Sequence, residues 1–260
     1  MKRLARLVTV LAAANFVCGC TDLNATQRSW LADGQRAYDQ QRYTESIRSL
    51  SQFIDAVPNR PETAQAFYVR AMANAKVGQR TTAYADLGRC AALPADAETR
   101  WRAQVVLGTL HFEEGHWALA RQAYAAALEA IPPTAPRDVV LHRLALCQER
   151  LGQWPEARAT FTTLVNQYPR SSYVQTARRH LAANASCFSA QCGVFSAQKN
   201  ADALVSTLNS KGVSAFIRRD SRNGKPVFVV LVATYRDYAE AQRGLSMVQA
   251  YVPEAVLWPN

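Results

Sequence analysis

The sequence predicts a mainly α protein in which a superhelical stack of four helix pairs, closed by a capping helix, precedes a small α+β unit of order βαββαβ. Two observations carry that expectation. A 37-residue period runs from Gln27 to Tyr168. After Ala183 the period stops, and short apolar runs alternate with helical ones, the texture of a separate small domain. Residues 1–20 belong to neither part.

Those first residues have a basic start (MKRLAR), an apolar stretch from Leu7 to Val17, and small residues ending at a cysteine (VCGC). The apolar stretch is too short to span a bilayer, which takes about 20 residues, so it reads as an export signal. Val17-Cys18-Gly19-Cys20 resembles the lipobox of bacterial lipoproteins, with Cys20 as the acylated acceptor; Cys18 fits worse, because Asn15 and Val17 would flank the cut. The alternative is that Cys20 is an ordinary residue after an ordinary cleavage site. The resemblance implies several acyl chains on Cys20, and because each buried methylene contributes about 0.8 kcal/mol, several chains make a stable membrane anchor. Thr21 follows the acceptor where an Asp in enteric relatives marks inner-membrane retention, so the periplasmic face of the outer membrane is the expected address, ahead of the inner membrane. Removal of this segment also takes away three of the positive charges, lowering the net charge of +10 to about +7 with no Lys/Arg run. Such a charge is a general attraction to anionic polymers, and no nucleic-acid site is expected.

The period is read by aligning Gln41, Gly78, Gly115 and Gly152, each 37 residues from the next. Two positions on stand Tyr43, Arg80, Trp117 and Trp154; five on, Ser46, Ala83, Ala120 and Ala157; nine on, Leu50, Leu87, Tyr124 and Phe161. Seventeen on come Pro58, Ala95, Pro132 and Pro169. A small residue lets two helix backbones approach, a large one fills the space a turn later, and proline ends the second helix because it has no N–H to donate. The pattern resembles the tetratricopeptide repeat (TPR), lengthened by three residues per unit. Ser171 to Ala183 reads as the helix that shields the last apolar face.

TPR modules are scaffolds whose first helices line a concave groove. By repeat phase the groove is expected to display Gln35, Tyr38, Tyr68, Met72, Lys76, Thr109, Phe112, Glu113, His142 and Arg150, a mixed aromatic and polar lining suited to an extended or helical peptide. The alternative for Tyr38, Tyr68 and Phe112 is packing between helices.

In the C-terminal part, strands are expected at Phe188 to Phe195, Val213 to Arg219, Val227 to Ala233 and Ala255 to Trp258, with helices at Asn200 to Lys211 and Tyr238 to Tyr251. The first strand, FSAQCGVFS, the following ADALVSTLNSKGVSAFI and the hairpin NGKPVFVVLVATYRDYAEAQRGL together resemble the SPOR (sporulation-related) domain over Cys187 to Asn260. The resemblance implies a ferredoxin-like fold whose open sheet face binds peptidoglycan glycan strands stripped of stem peptides. Alternation along the first strand turns Ala190, Cys192 and Val194 toward the helices and Ser189, Gln191 and Gly193 to the open face, joined there by Phe216, Arg218, Val229, Leu231 and Trp258. The Gln191 amide both donates and accepts, which suits sugar hydroxyls and acetamido groups; the alternative is an exposed strand glutamine with no task. Phe216 and Trp258 offer stacking platforms. Arg218, Arg219, Arg222 and Lys225 can answer the lactyl carboxylates of stripped glycan, or belong to a solvated hairpin. Val229 stands where many relatives have arginine, and Val227 where some have tryptophan.

No catalytic constellation is present: His111 and His116 in HFEEGH are five apart, one too many for HExxH, and GxSxG, Walker and GxGxxG patterns are missing. Beyond Cys18 and Cys20, the cysteines Cys90, Cys147, Cys187 and Cys192 form no CxxC pair and are expected to be free thiols. The expectation is therefore a non-enzymatic envelope lipoprotein with no cofactor and no metal. It divides into a signal peptide (1–20), a short tether (21–26), a repeat domain (27–184) and a SPOR domain (187–260). Its SPOR domain binds septal glycan while its groove recruits a protein partner in wall remodelling or division. The rival reading is an outer-membrane assembly scaffold whose SPOR-like sheet binds no glycan. Only about three residues, Asn184 to Ser186, join the two domains, so they are expected to move nearly as one body.

Overall fold

The computed structural model describes residues 22–222, 224–236 and 238–259. The leader and its acceptor Cys20 lie outside them.

Four antiparallel helix pairs succeed one another: α1 (Ala25–Asp39) with α2 (Tyr43–Ala56), α3 (Pro61–Lys76) with α4 (Arg80–Ala92), α5 (Ala97–Glu113) with α6 (Trp117–Ala130), and α7 (Arg137–Arg150) with α8 (Trp154–Gln167). The stack opens on a capping box in which the Asn24 side chain accepts from the Gln27 N–H and the Gln27 side chain accepts from the Asn24 N–H. Every second helix begins on the residue two past the aligned turn position. The turn positions themselves, Gln41, Gly78, Gly115 and Gly152, all have positive φ, from 60° to 82°. That conformation favours glycine, so Gln41 holds it against a steric cost the other three units avoid.

Ser46, Ala83, Ala120 and Ala157 are all buried at the crossings, as are Leu50, Leu87, Tyr124 and Phe161 one turn on. The structure adds a partner set in the same 37-residue register: Gly34, Ala71, Gly108 and Ala145 on the first helices, all buried. A Cβ on Gly108 would stand 2.8 Å from the Tyr124 ring, and one on Gly34 would stand 2.5 Å from Leu50 Cγ. Small residues on both helices of each pair thus set how closely the pair packs.

One buried ion pair braces the second unit. Arg70 on α3 donates to both carboxylate oxygens of Asp86 on α4, at 3.0 and 2.7 Å, and the Asn74 amide donates to the same carboxylate at 3.0 Å. The stack closes on α9 (Val174–Ala183), which begins three residues later than the sequence suggests. Val174 and Ala177 pack with Phe161 and Leu164, and His180 meets the Glu149 carboxylate at 2.9 Å.

Beyond α9 come β1 (Phe188–Phe195), α10 (Gln198–Ser210), β2 (Ala215–Arg222), β3 (Lys225–Tyr235), α11 (Tyr238–Gln249) and β4 (Val256–Pro259). The sheet order is β2-β3-β1-β4 with antiparallel neighbours, and both helices cover one face. Ala190, Cys192, Val230 and Val232 from the strands meet Ala201, Leu208 and Val248 from the helices in that core. Burial pushes the Cys192 thiol up to about 11, Cys90 to about 11 and Cys147 to about 12, and these three buried cysteines are free thiols.

The two parts meet over a packed junction. Trp154 at the start of α8 packs against Phe188 at the start of β1, the rings tilted at 54° with centroids 4.9 Å apart. Arg158 donates to the Ala185 carbonyl at 3.0 Å. The Arg150 guanidinium lies 4.0 Å over the Tyr238 ring and also faces Trp117 and Phe188.

Candidate binding sites

The face of the sheet away from the helices is assembled by strand register. Phe216, Leu231, Gln191 and Val256 form one row across β2, β3, β1 and β4; Arg218, Val229 and Val194 form a second, and Ser189 pairs with Trp258 beside them. Gly193 is not among them, and this corrects the simple alternation. Between Gln191 and Gly193 the register slips, so that Cys192 and Gly193 together oppose one residue of β3. This β-bulge reverses the parity of the rest of β1. A Cβ on Gly193 would meet Phe195 and Leu204, which pack in the helix-side core, while Val194 turns to the open face in its place.

The row is uneven in exposure. Val229, Leu231 and Ser189 are fully buried, so these three positions form a floor rather than contacts. Phe216 is 40% exposed and Val256 47%. Gln191, Val194, Arg218 and Trp258 are half-buried. Arg218 lies 3.8 Å from the Asp220 carboxylate. Arg219 falls on the other side, where it reaches Gln198 of α10 at 3.4 Å. Trp258 stands at the sheet edge against α9, lining with Thr176, Arg179, His180 and Ala183 a small cavity of about 180 Å³.

Comparison with known families accounts for both parts. A SPOR domain model matches residues 185–258, and tetratricopeptide repeat models match residues 31–96 and 140–171. The chain carries tetratricopeptide repeats and a C-terminal SPOR domain. Among solved structures, MamA from AMB-1 is 22% identical over 61% of this chain and 80% of its own, with a TM-score of 0.50. Another MamA crystal structure is 16% identical over 61% and 80%, with a TM-score of 0.51. A tetratricopeptide repeat protein from Parabacteroides merdae is 13% identical over 73% and 68%, with a TM-score of 0.53. These likenesses show the fold. No curated protein matches the chain. The SPOR domain points to peptidoglycan binding at the cell envelope, and TPR repeats point to protein interaction. No helix among the described residues is long and apolar enough to cross a membrane.

In the TPR groove, Tyr38, Met72, Lys76, Thr109 and Glu113 come together from α1, α3 and α5 around a cavity of about 210 Å³, with Ala75, Val106 and Leu110 as its apolar wall. Gln35 sits half-buried one turn before Tyr38. Tyr68 packs between two core clusters, and burial raises its hydroxyl above the ordinary tyrosine value. Phe112 sits edge-on to Trp117 at 5.2 Å with the Arg143 guanidinium over its face at 4.5 Å.

Two expected groove residues lie elsewhere. His142 stacks on Tyr173 at 4.4 Å, with both ring nitrogens buried and without hydrogen-bond partners; burial lowers it to about 4, so it is neutral at pH 7. Arg150 is taken up by the junction with the SPOR domain. The cause is common to both. The fourth unit is the last, and its first helix faces the segment before α9 and the SPOR domain where earlier units face open groove.

His111, Glu114 and His116 place ligand atoms within 4.8 Å of one another on the turn between α5 and α6. Their contacts are already assigned: Tyr84 stacks on His111 and donates to Glu114 at 2.8 Å, and Arg80 lies 3.6 Å from the same carboxylate. An adjacent guanidinium disfavours a second cation there.

Proposed function

We propose that the protein is an envelope-anchored adaptor in which the SPOR sheet binds glycan strands depleted of stem peptides and the TPR groove holds a segment of a protein partner in wall remodelling or division. The supporting observation is the composition of the exposed sheet face. Phe216 and Trp258 offer ring faces for sugars, Gln191 both donates and accepts, and Arg218 supplies positive charge beside them. The reading has no catalytic step. Its test is retention on purified glycan with and without stem peptides. The wild-type chain is retained on the stripped strands, and Phe216→Ala with Gln191→Ala weakens retention by about tenfold to thirtyfold, the loss of one stacking contact and one hydrogen bond. Equal retention of the double variant sinks the assignment of this face.

A second reading has its own observation. The inner strand β3 places buried Val229 and Leu231 on the face and presents no polar group of its own there. A sheet of that kind can brace a TPR scaffold for outer-membrane assembly without binding glycan. Absence of wild-type retention on stripped strands selects it.

The anchor in this proposal is Cys20, with the chain on the periplasmic face of the outer membrane. Because acylation needs the thiol, Cys20→Ser is expected to abolish incorporation of a labelled fatty acid and leave an unprocessed or soluble chain. Label that persists in the variant rules the anchor out.

A further inference from the structure

The joint between the second and third repeat units is built differently from its neighbours. At the first joint Ile54 of α2 packs with Phe67 of α3, and at the third Leu128 of α6 packs with Leu141 of α7. In the same 37-residue register the second joint has Ala91 on α4 and Gln104 on α5. Two large apolar side chains are thus missing from it, and a cavity of about 420 Å³ opens there between α4, α5 and α6. It reaches inward to Leu87 and Leu107, whereas the corresponding hollow of the first joint is lined by Ile54 and Phe67 and does not reach Leu50. The cavity lies outside the groove of the first helices, since α4 and α6 are second helices.

Residues 84–130 are all described, and the lining they supply carries one amide, Gln104, and one charge, the exposed Arg100. Gln104 is half-buried and makes no hydrogen bond among the described residues. Small exposed residues, Gly88, Ala91, Ala126 and Ala130, surround the opening. Gly88 stands in the interior of α4, where glycine weakens a helix relative to alanine, and a Cβ there would meet nothing within 4 Å. Packing within the chain gives no reason for a glycine at that position; close approach from outside does.

We infer that this cavity is a second protein-docking site, which takes a tyrosine side chain from a partner segment that has an acidic residue beside it. The low rim lets a partner main chain come close enough to insert a ring, and the rings of Tyr84 and Trp101 pack against it. A phenol both donates and accepts, as the Gln104 amide does. An indole only donates, and a phenylalanine, a leucine or a lipid chain would leave the amide covered and without a partner. Arg100 sets the charge of the neighbouring residue. The site is independent of the glycan reading of the sheet.

The full chain is titrated with acetyl-Asp-Tyr-amide and with its Asp-Phe and Asn-Tyr analogues, followed by tryptophan fluorescence because Trp101 lines the cavity. The wild-type chain is expected to bind the Asp-Tyr probe about tenfold more tightly than Asp-Phe, the scale of one hydrogen bond, and about threefold more tightly than Asn-Tyr, the scale of one exposed charge pair. Gln104→Leu, which installs the residue of the fourth unit, removes the first preference, and Arg100→Gln removes the second. Gly88→Gln covers the opening and weakens all three probes, while its melting temperature holds or rises. A wild-type chain that binds none of the probes, or binds Asp-Tyr and Asp-Phe alike, overturns the site. So does an unchanged first preference in Gln104→Leu, or undiminished binding by Gly88→Gln. An unchanged second preference in Arg100→Gln overturns the acidic neighbour, and p-cresol that binds more tightly than the dipeptide overturns the protein partner in favour of a free phenol.

Discussion

Replacing Ala120 with Trp unfolds the repeat stack. Ala120 is fully buried where α6 crosses α5, in a cluster with Tyr124, Ala127, Leu144 and Cys147. Overpacking such a crossing commonly costs about 1–3 kcal/mol, and an indole in place of a methyl lies at or beyond the top of that range. The position multiplies the effect. In a stack each unit is stabilised by its neighbours, so loss of the third pair removes an interface from the second and from the fourth. The expected result is a loss of most helical signal at temperatures where the wild-type chain is folded, monitored by circular dichroism on heating. Leu119→Trp is the control, since Leu119 is one residue away and 48% exposed, and its melting curve should stay near the wild type. If both variants melt alike, the assignment of the crossing positions is wrong.

The repeat was legible because each of its demands falls on a side chain that announces itself. A positive φ selects glycine at three turns of four, a close crossing selects serine or alanine, and a helix end selects proline. The complementary set at Gly34, Ala71, Gly108 and Ala145 obeys the same period and was within reach of the same alignment. It is less conspicuous because alanine is common in helices for other reasons. The order of the SPOR elements was legible from the alternation of apolar runs, and their ends shifted by up to three residues, as helix and strand termini do.

The features that escaped the sequence each have a physical reason. The bulge at Cys192 and Gly193 depends on how β1 pairs with β3, and strand alternation alone carries no sign of it. One slipped residue was enough to exchange Gly193 for Val194 on the candidate face. His142 and Arg150 carry the phase of groove residues, and the side chains that displace them are not local: Tyr173 and Tyr238 lie 31 and 88 residues further along the chain. Periodicity describes the interior of a stack and fails at its last unit, where a different domain supplies the neighbour.

The same junction yields the second large effect, a separation of the two domains on loss of Trp154. Residues 184–187 connect α9 to β1, which is too short a link for wide independent motion, and the contacts across it are substantial. Trp154 is buried against Phe188, Ala185 and Ala241, and truncating a buried tryptophan to alanine costs about 3–5 kcal/mol. A loss of that size exceeds what the Arg158 to Ala185 hydrogen bond, about 1 kcal/mol net, can offset. Trp154→Ala is therefore expected to release the SPOR domain while the first three helix pairs stay folded. Small-angle scattering should show two bodies in place of one, and protease should cut within residues 184–187. Because Trp154 also opens α8, a second variant removes the contact from the other side: Tyr238→Ala takes away the ring under Arg150 and leaves the repeats untouched. Scattering from a single rigid body in both variants would show that the junction does not hold the domains together. If the proposed anchor at Cys20 holds, the nine described helices of the repeat domain would act with the junction intact as a strut of roughly 40 Å at ordinary helix spacing, and the reach from anchor to wall would be set by the number of repeats. In-frame deletion of one 37-residue unit should then impair wall binding in cells while leaving the isolated SPOR domain's glycan affinity unchanged. Wall binding that survives the deletion would mean that reach is supplied by something other than the stack.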